Sequence, residues 1–135
     1  MNEKYRKQSL RMFSYGVYIL SSLNEGEYCV STVTWVSQAS FEPPMISVCI
    51  KRDSASYEIV KKRGEFILHL LGDNQKELAS TFFKPTIFEN EKLNGKEFII
   101  GKILAVRQSE LFFRLTMRIN LIGVLWYFLQ IPFFY

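Results

Sequence analysis

A mainly β domain of antiparallel strands with two or three short helices is the fold class this sequence predicts. Three observations lead there. Apolar and polar residues alternate with a period of two through the β-branched and aromatic runs Tyr28 to Gln38 and Met45 to Ile50. Turn-forming sequences, Asn24-Glu25-Gly26-Glu27 and Asn94-Gly95, separate extended stretches. Helical spacing is confined to brief segments.

A chain of 135 residues, 48% of them hydrophobic, is long enough for one domain whose core needs neither disulfide nor metal. The formal charge of +4 suits an anionic ligand but is too small and too scattered to mark a nucleic-acid partner. Two cysteines, Cys29 and Cys49, both fall inside expected strands and read as reduced core thiols of a cytoplasmic protein. The charged N-terminus has no apolar run behind it, so no secretory signal is expected.

In chain order, residues 3 to 12 predict a short helix, and Tyr15 to Leu23 the first strand, turning at Asn24-Glu25-Gly26-Glu27 into a hairpin with Tyr28 onward. The strand Tyr28 to Gln38 ends at Ala39-Ser40-Phe41-Glu42-Pro43-Pro44, because paired prolines fix φ and remove two donors. From Met45 the alternation resumes, with Ile46, Val48 and Ile50 on one face. Lys51 to Ser56 then supplies two cations and an Asp or Ser N-cap for a helix through Tyr57, Ile59 and Val60, stopped at Gly64. A helix start beside Lys and Arg holds a phosphate well, through free N–H groups, dipole and charge together.

Phe66 to Leu71 is short and apolar enough for a buried strand, and it contains the one histidine, His69. No Cys, Ser or carboxylate nearby completes a nucleophile or metal set, so His69 is expected to be a hydrogen-bonded core group. Asp73 is expected to cap a helix whose Leu78, Ala79, Phe82 and Phe83 face the core, with Phe82 near the ligand. Lys84 to Gly95 reads as a loop and Phe98 to Val106 as a strand.

From Leu111 the composition changes. The stretch to Tyr135 has two Arg, no acidic residue and nine consecutive apolar residues from Leu121 to Leu129. That run is well short of the roughly 20 residues of a membrane helix. The chain is therefore divided into residues 1–110, a ligand-binding domain, and 111–135, an atypical apolar segment.

No GxSxG, HExxH, P-loop or GxGxxG is present, so hydrolase, zincin and dinucleotide-fold chemistries have no anchor, and neither a catalytic side chain nor a metal ligand is assigned. Taken together, Tyr15-Gly16-Val17-Tyr18, Thr32 to Pro44 and Ser54-Ala55-Ser56-Tyr57-Glu58, continued by Glu65-Phe66-Ile67 and Glu77-Leu78-Ala79 to Phe82, resemble the flavin-reductase-like FMN-binding split-barrel family. The resemblance implies an antiparallel split β-barrel, a homodimer, and an NAD(P)H-dependent flavin reductase that supplies an oxygenase or another acceptor. Its alternatives are an electron carrier of flavoredoxin type, or a non-enzymatic ligand-binding or interaction module. It also implies that Thr34, Trp35, Val36, Ser37 and Gln38 lie along the flavin ring and ribityl chain, with Ser40 and Phe41 extending that wall. Lys51, Arg52, Ser54 and Ser56 would take the FMN phosphate, and Phe82 would border the ring. Hydride transfer asks little of acid or base side chains, because the cofactor carries the chemistry. The family's Gly-Asp-His-like turn is missing after Arg118-Ile119-Asn120-Leu121, which leads to the expectation of a truncated or out-of-frame C-terminus and puts barrel closure and nicotinamide contacts there in question.

Overall fold

The structure, a computed structural model, describes residues 2–42, 45–100, 104–106, 111–119 and 125–130. Three helices, α1 (Glu3–Leu10), α2 (Ala55–Arg63) and α3 (Lys76–Thr81), accompany a sheet of seven antiparallel strands. In spatial order these are β2 (Glu27–Val33), β1 (Tyr18–Asn24), β5 (Glu65–Leu70), β10 (Leu111–Ile119), β11 (Leu125–Gln130), β4 (Met45–Val48) and β3 (Val36–Ser40). Two small hairpins stand apart, β6 (Phe88–Glu89) with β7 (Lys92–Leu93), and β8 (Phe98–Ile100) with β9 (Leu104–Val106).

The two edges of the large sheet, β2 and β3, are consecutive in sequence and separated only by Thr34 and Trp35. Directions alternate across the sheet, so β2 and β3 run the same way: one extended strand pairs with β1 along its first half and with β4 along its second. Two residues span less than about 12 Å, which brings the edges of the sheet together and rolls it into a barrel. No ladder joins β2 to β3 among the described residues; chain continuity alone bridges them, and the barrel is split there.

That jog corrects the single strand expected over Tyr28 to Gln38. Residue types favour extension throughout, and only tertiary pairing decides that the Trp35 carbonyl accepts from Cys49 N–H at 2.9 Å. Smaller corrections have similar causes. The first strand begins at Tyr18 rather than Tyr15, and at Gly16 a Cβ would collide with the Tyr18 ring. The strand expected over Phe98 to Val106 turns back on itself, pairing Phe98 with Val106. α3 starts after Gln75, whose Oε1 accepts from Gly72 N–H at 2.9 Å, so Asp73 is not its cap.

The core has two parts. Inside the barrel, Leu20, Cys29, Val48, Phe66 and Leu68 meet Ile59 and Val60 of α2. Because this cluster joins β1, β2 and β5 to β4 from the far end of the sheet, it is the barrel's interior. Outside, Ile19, Val30, Leu78, Phe82 and Leu93 pack beneath α3 and the 88–98 segment, with Tyr28 stacked on Phe88 at 4.8 Å. Each fully buried Leu, Ile or Phe contributes about 1.5–3 kcal/mol. His69 is fully buried between strands, its Nε2 2.7 Å from Ser21 Oγ, and burial pushes its pKa down to about 3.

The apolar segment after residue 110 supplies β10 and β11, whose backbones pair with β5 and β4 in the middle of the sheet. The missing family turn and the expected irregular C-terminus fall at 120–124 and 131–135, outside the described residues, as do Pro43 and Pro44.

Candidate functional site

A cleft of about 370 Å³ opens where the barrel is split. Its walls come from Ser31 to Trp35 on the jog, Cys49 to Lys51 after β4, Ser54 and Ser56 at the start of α2, and Phe83 after α3. Sequence adjacency explains the meeting: the jog is where β2 leaves β1 for β4, and the loop after β4 runs straight into α2.

At the α2 end the donors are pre-set. Ser54 is the N-cap, in extended conformation at φ −106°, with its Oγ accepting from Tyr57 N–H at 3.2 Å and donating to the Lys51 carbonyl at 2.6 Å. Asp53, the other candidate cap, instead pairs with Lys51 at 3.0 Å, which holds its exposed carboxyl below the usual range. Ser56 Oγ lies 2.8 Å from Ser31 Oγ, tying the helix to β2. The first N–H groups of α2, at Ala55 and Ser56, have no partner within the helix. With the positive end of the helix dipole, and with Ser54, Ser56 and Lys51 among the cleft walls, they favour an anionic group there. At the C-terminal end, Lys61, Lys62 and Arg63 precede Gly64, in the left-handed region at φ 75°.

The cleft also has aromatic and apolar walls, with Trp35 57% exposed, Phe83 68% exposed and Ile50 half-buried. Cys49 is exposed in the cleft, unlike the core thiol expected of it, because β4 ends at Val48. Cys29 is the buried one, its thiol pushed up to about 11 by burial against the opposing pull of the Ser56 hydroxyl.

Of the residues singled out from sequence, the cleft collects Thr34, Trp35, Lys51, Ser54 and Ser56. Val36, Ser37, Gln38, Ser40, Phe41 and Arg52 lie outside its walls; Phe41 is 85% exposed, and Val36 leans on the barrel interior. Phe82 is buried in the outer cluster and Phe83, expected in the core, takes the cleft position instead. Sequence reasoning missed Ser31, Thr32, Val33, Cys49, Ile50 and Phe83 as wall residues. The alternation of β2 carried a signal for Ser31, which shares a face with Cys29 and Val33; nothing local distinguished Phe83 from Phe82.

The barrel is split at one strand, and the cleft there is lined by a helix N-terminus, a cation and two exposed aromatic rings. The chain belongs to the flavin reductase like domain family, whose model matches residues 10–113. A ferric-chelate reductase (NAD(P)H) from Archaeoglobus fulgidus is 31% identical over 90 residues, 66% of this chain and 53% of that protein. An NADH:FMN oxidoreductase from Rhodococcus erythropolis is 35% identical over 77 residues, 56% of this chain and 40% of the relative. The reductase component of a 4-nitrophenol 4-monooxygenase from Rhodococcus opacus is 30% identical over 73 residues, 54% of this chain and 40% of its own. The chain thus spans about half the length of these curated relatives, or less. Among solved structures, a flavin reductase domain protein from Arthrobacter superposes with a TM-score of 0.81 at 21% identity, covering 96% of this chain and 82% of that one. The styrene monooxygenase flavin reductase of Pseudomonas putida gives 0.73 at 21% identity, covering 92% and 81%. These likenesses establish the split-barrel fold.

Proposed function

We propose that this protein is an NAD(P)H-dependent flavin reductase that holds FMN in the cleft at the split. The observation that carries the reading is the convergence of the jog, the Cys49–Lys51 loop and the α2 N-terminus on one cleft. The polar set suits the cofactor: Lys51 and the first α2 N–H groups for the phosphate, joined by the Ser54 and Ser56 hydroxyls when these turn from the Lys51 carbonyl and Ser31 Oγ toward it, and Thr34 with the main chain around Trp35 for the ring and ribityl chain. Ser37, Gln38, Ser40, Phe41 and Arg52 remain part of the proposal only as residues bordering a longer ligand. Bound flavin supplies the redox chemistry, accepting a hydride from reduced nicotinamide and passing the electrons on.

The chain's own part is to bind, orient and exclude water. Charge-assisted bonds from Lys51 and the helix start, roughly twice as strong as neutral ones, anchor the phosphate end. The Trp35 carbonyl, engaged by Cys49 N–H at 2.9 Å, keeps the jog rigid. Donors already fixed in place stabilise negative charge that develops on the ring edge without rearranging.

The names of the relatives support an oxygenase or a ferric chelate as electron acceptor, and a reductase component as the role. A homodimer belongs to the same proposal. α1 buries no residue, and Leu10, Met12 and Phe13 are 55%, 82% and 65% exposed. An eight-residue helix is not stable alone in water, so a second copy covering this segment accounts for it. No helix among the described residues is long and apolar enough to cross a membrane. A cytoplasmic setting is also proposed, as a reducing compartment suits the free thiols Cys29 and Cys49.

The test is a flavin titration followed by an NAD(P)H oxidation assay. FMN at 100 times its dissociation constant is expected to stabilise the protein by about 2.7 kcal/mol. A folded sample that neither takes up FMN nor is stabilised by it overturns the proposal. Tight FMN without nicotinamide oxidation would reassign the protein as an electron carrier.

A further inference from the structure

We infer that Phe83 fixes the plane of the ligand's ring, making it a specificity-determining residue for a flat heteroaromatic group; the inference rests on the flavin reading above. Adjacent residues have opposite fates here: Phe82 is 1% exposed, Phe83 68%. A phenyl ring left this open at a cleft wall loses little by being covered and gains by covering a second apolar face.

Phe83 is not on a loose segment. Thr32 N–H donates to the Phe82 carbonyl at 3.0 Å, and Thr32 Oγ1 donates to the Ala79 carbonyl at 2.6 Å. Phe82 itself is locked among Ile19, Val30, Leu78 and Leu93. The backbone that presents Phe83 is therefore clamped to β2, whose Val33, with Thr34 and Trp35 after it, also lines the cleft. Phe83 and Trp35 are the two aromatic residues lining the cleft among the described residues, each held by main-chain hydrogen bonds, and Lys51 and Ser54 add polar walls. A ligand matching both kinds of wall is a planar ring tethered to an anion. Rigid aromatic walls recognise the ring by stacking, independently of the anion.

The experiment compares FMN with riboflavin, which carries the same ring and ribityl chain without the phosphate. In fluorescence titrations Phe83→Ala is expected to weaken both by the same factor, on the order of tenfold, with Phe83→Tyr restoring both. The thermal midpoint without ligand should stay within a degree or two of the unaltered protein, because so exposed a ring contributes little to the fold. Unchanged affinity in Phe83→Ala, or loss confined to FMN, overturns the inference while leaving the flavin reading in place. A change in oligomeric state with unaltered affinity would assign Phe83 to a subunit contact and overturn it too. If the unaltered chain takes up neither flavin, both readings fall together.

Discussion

Two cavities of similar size differ in what their walls still need. The cleft at the barrel split measures about 370 Å³ and the second cavity, lined by Ser80, Thr81, Lys84, Pro85, Ile87, Glu89, Asn94 and Gly95, about 460 Å³. In the larger one the polar walls are largely spent on each other. Asn94 Oδ1 accepts from Ile87 N–H at 2.7 Å, its Nδ2 donates to the Thr81 and Pro85 carbonyls, and its own N–H donates to the Ile87 carbonyl. Ser80 and Thr81 both donate to the Glu77 carbonyl. In the smaller cleft the hydroxyls of Ser31, Thr32, Ser54 and Ser56 are engaged as well, but the first N–H groups of α2 have no partner within the helix and two aromatic rings stand open. Unmet bonding capacity, rather than volume, separates a site from a clasp.

The comparison breaks if the cleft serines prove dispensable. Replacing Ser54 and Ser56 together by Ala should raise the FMN dissociation constant about a hundredfold, the loss of two hydrogen bonds to a charged group. Loss of the cap should lower stability by only about 1 kcal/mol. Isothermal titration and urea melts measure both, and an FMN affinity within threefold of the original would remove these serines from the site.

Asn94→Ala should do the reverse. Opening the clasp is expected to cost about 2 kcal/mol of stability, partly because Asn94 sits at φ 48°, where alanine is strained. Flavin affinity of the folded fraction should not move; if it does, the second cavity is coupled to the first.

The buried His69 of β5 brings a pH sensitivity of its own. His69 keeps its proton off down to about pH 3 in the folded state, from an ordinary value of 6.5. Above pH 6.5 both states are neutral at this residue. Below it the unfolded chain takes up a proton that the folded one refuses, so stability falls as pH falls through this window, by about 1.4 kcal/mol per unit. From pH 6.5 to 5 the loss should be about 2 kcal/mol. His69→Gln, which keeps a polar group beside Ser21, should flatten that slope in urea melts; an equally steep slope would mean other groups carry it.

The smallest effect is a matter of access. A thiol reagent should modify Cys49 within the cleft quickly, and Cys29 only on unfolding, since Cys49 is exposed and Cys29 buried. FMN should slow the Cys49 reaction. Equal rates with and without flavin would place the ligand elsewhere.

Much of this was legible in the residues. Period-two alternation in Met45 to Ile50 put Ile46, Val48 and Ile50 on the interior, where they pack. The Ser54 cap and the Gly64 stop bound α2 because capping chemistry is local, an oxygen two or three residues from the N–H it satisfies. The α2 phosphate end of the candidate site was readable for the same reason. Its aromatic end was not, because Phe82 and Phe83 are chemically alike and only the Thr32 clamp decides which is buried.

Sequence by itself therefore determined the β4 alternation, the caps of α2 and the placing of small hydroxyls beside a cationic helix start, all of which depend on neighbours a few residues away. Tertiary structure alone decided that Tyr28 to Gln38 would jog at Thr34 and Trp35, that the apolar segment after residue 110 would fill the middle of the sheet, and that Cys49 would face the cleft. Those outcomes follow from which edge of a curling sheet each strand meets, and contacts between residues far apart in the chain leave no local mark to read.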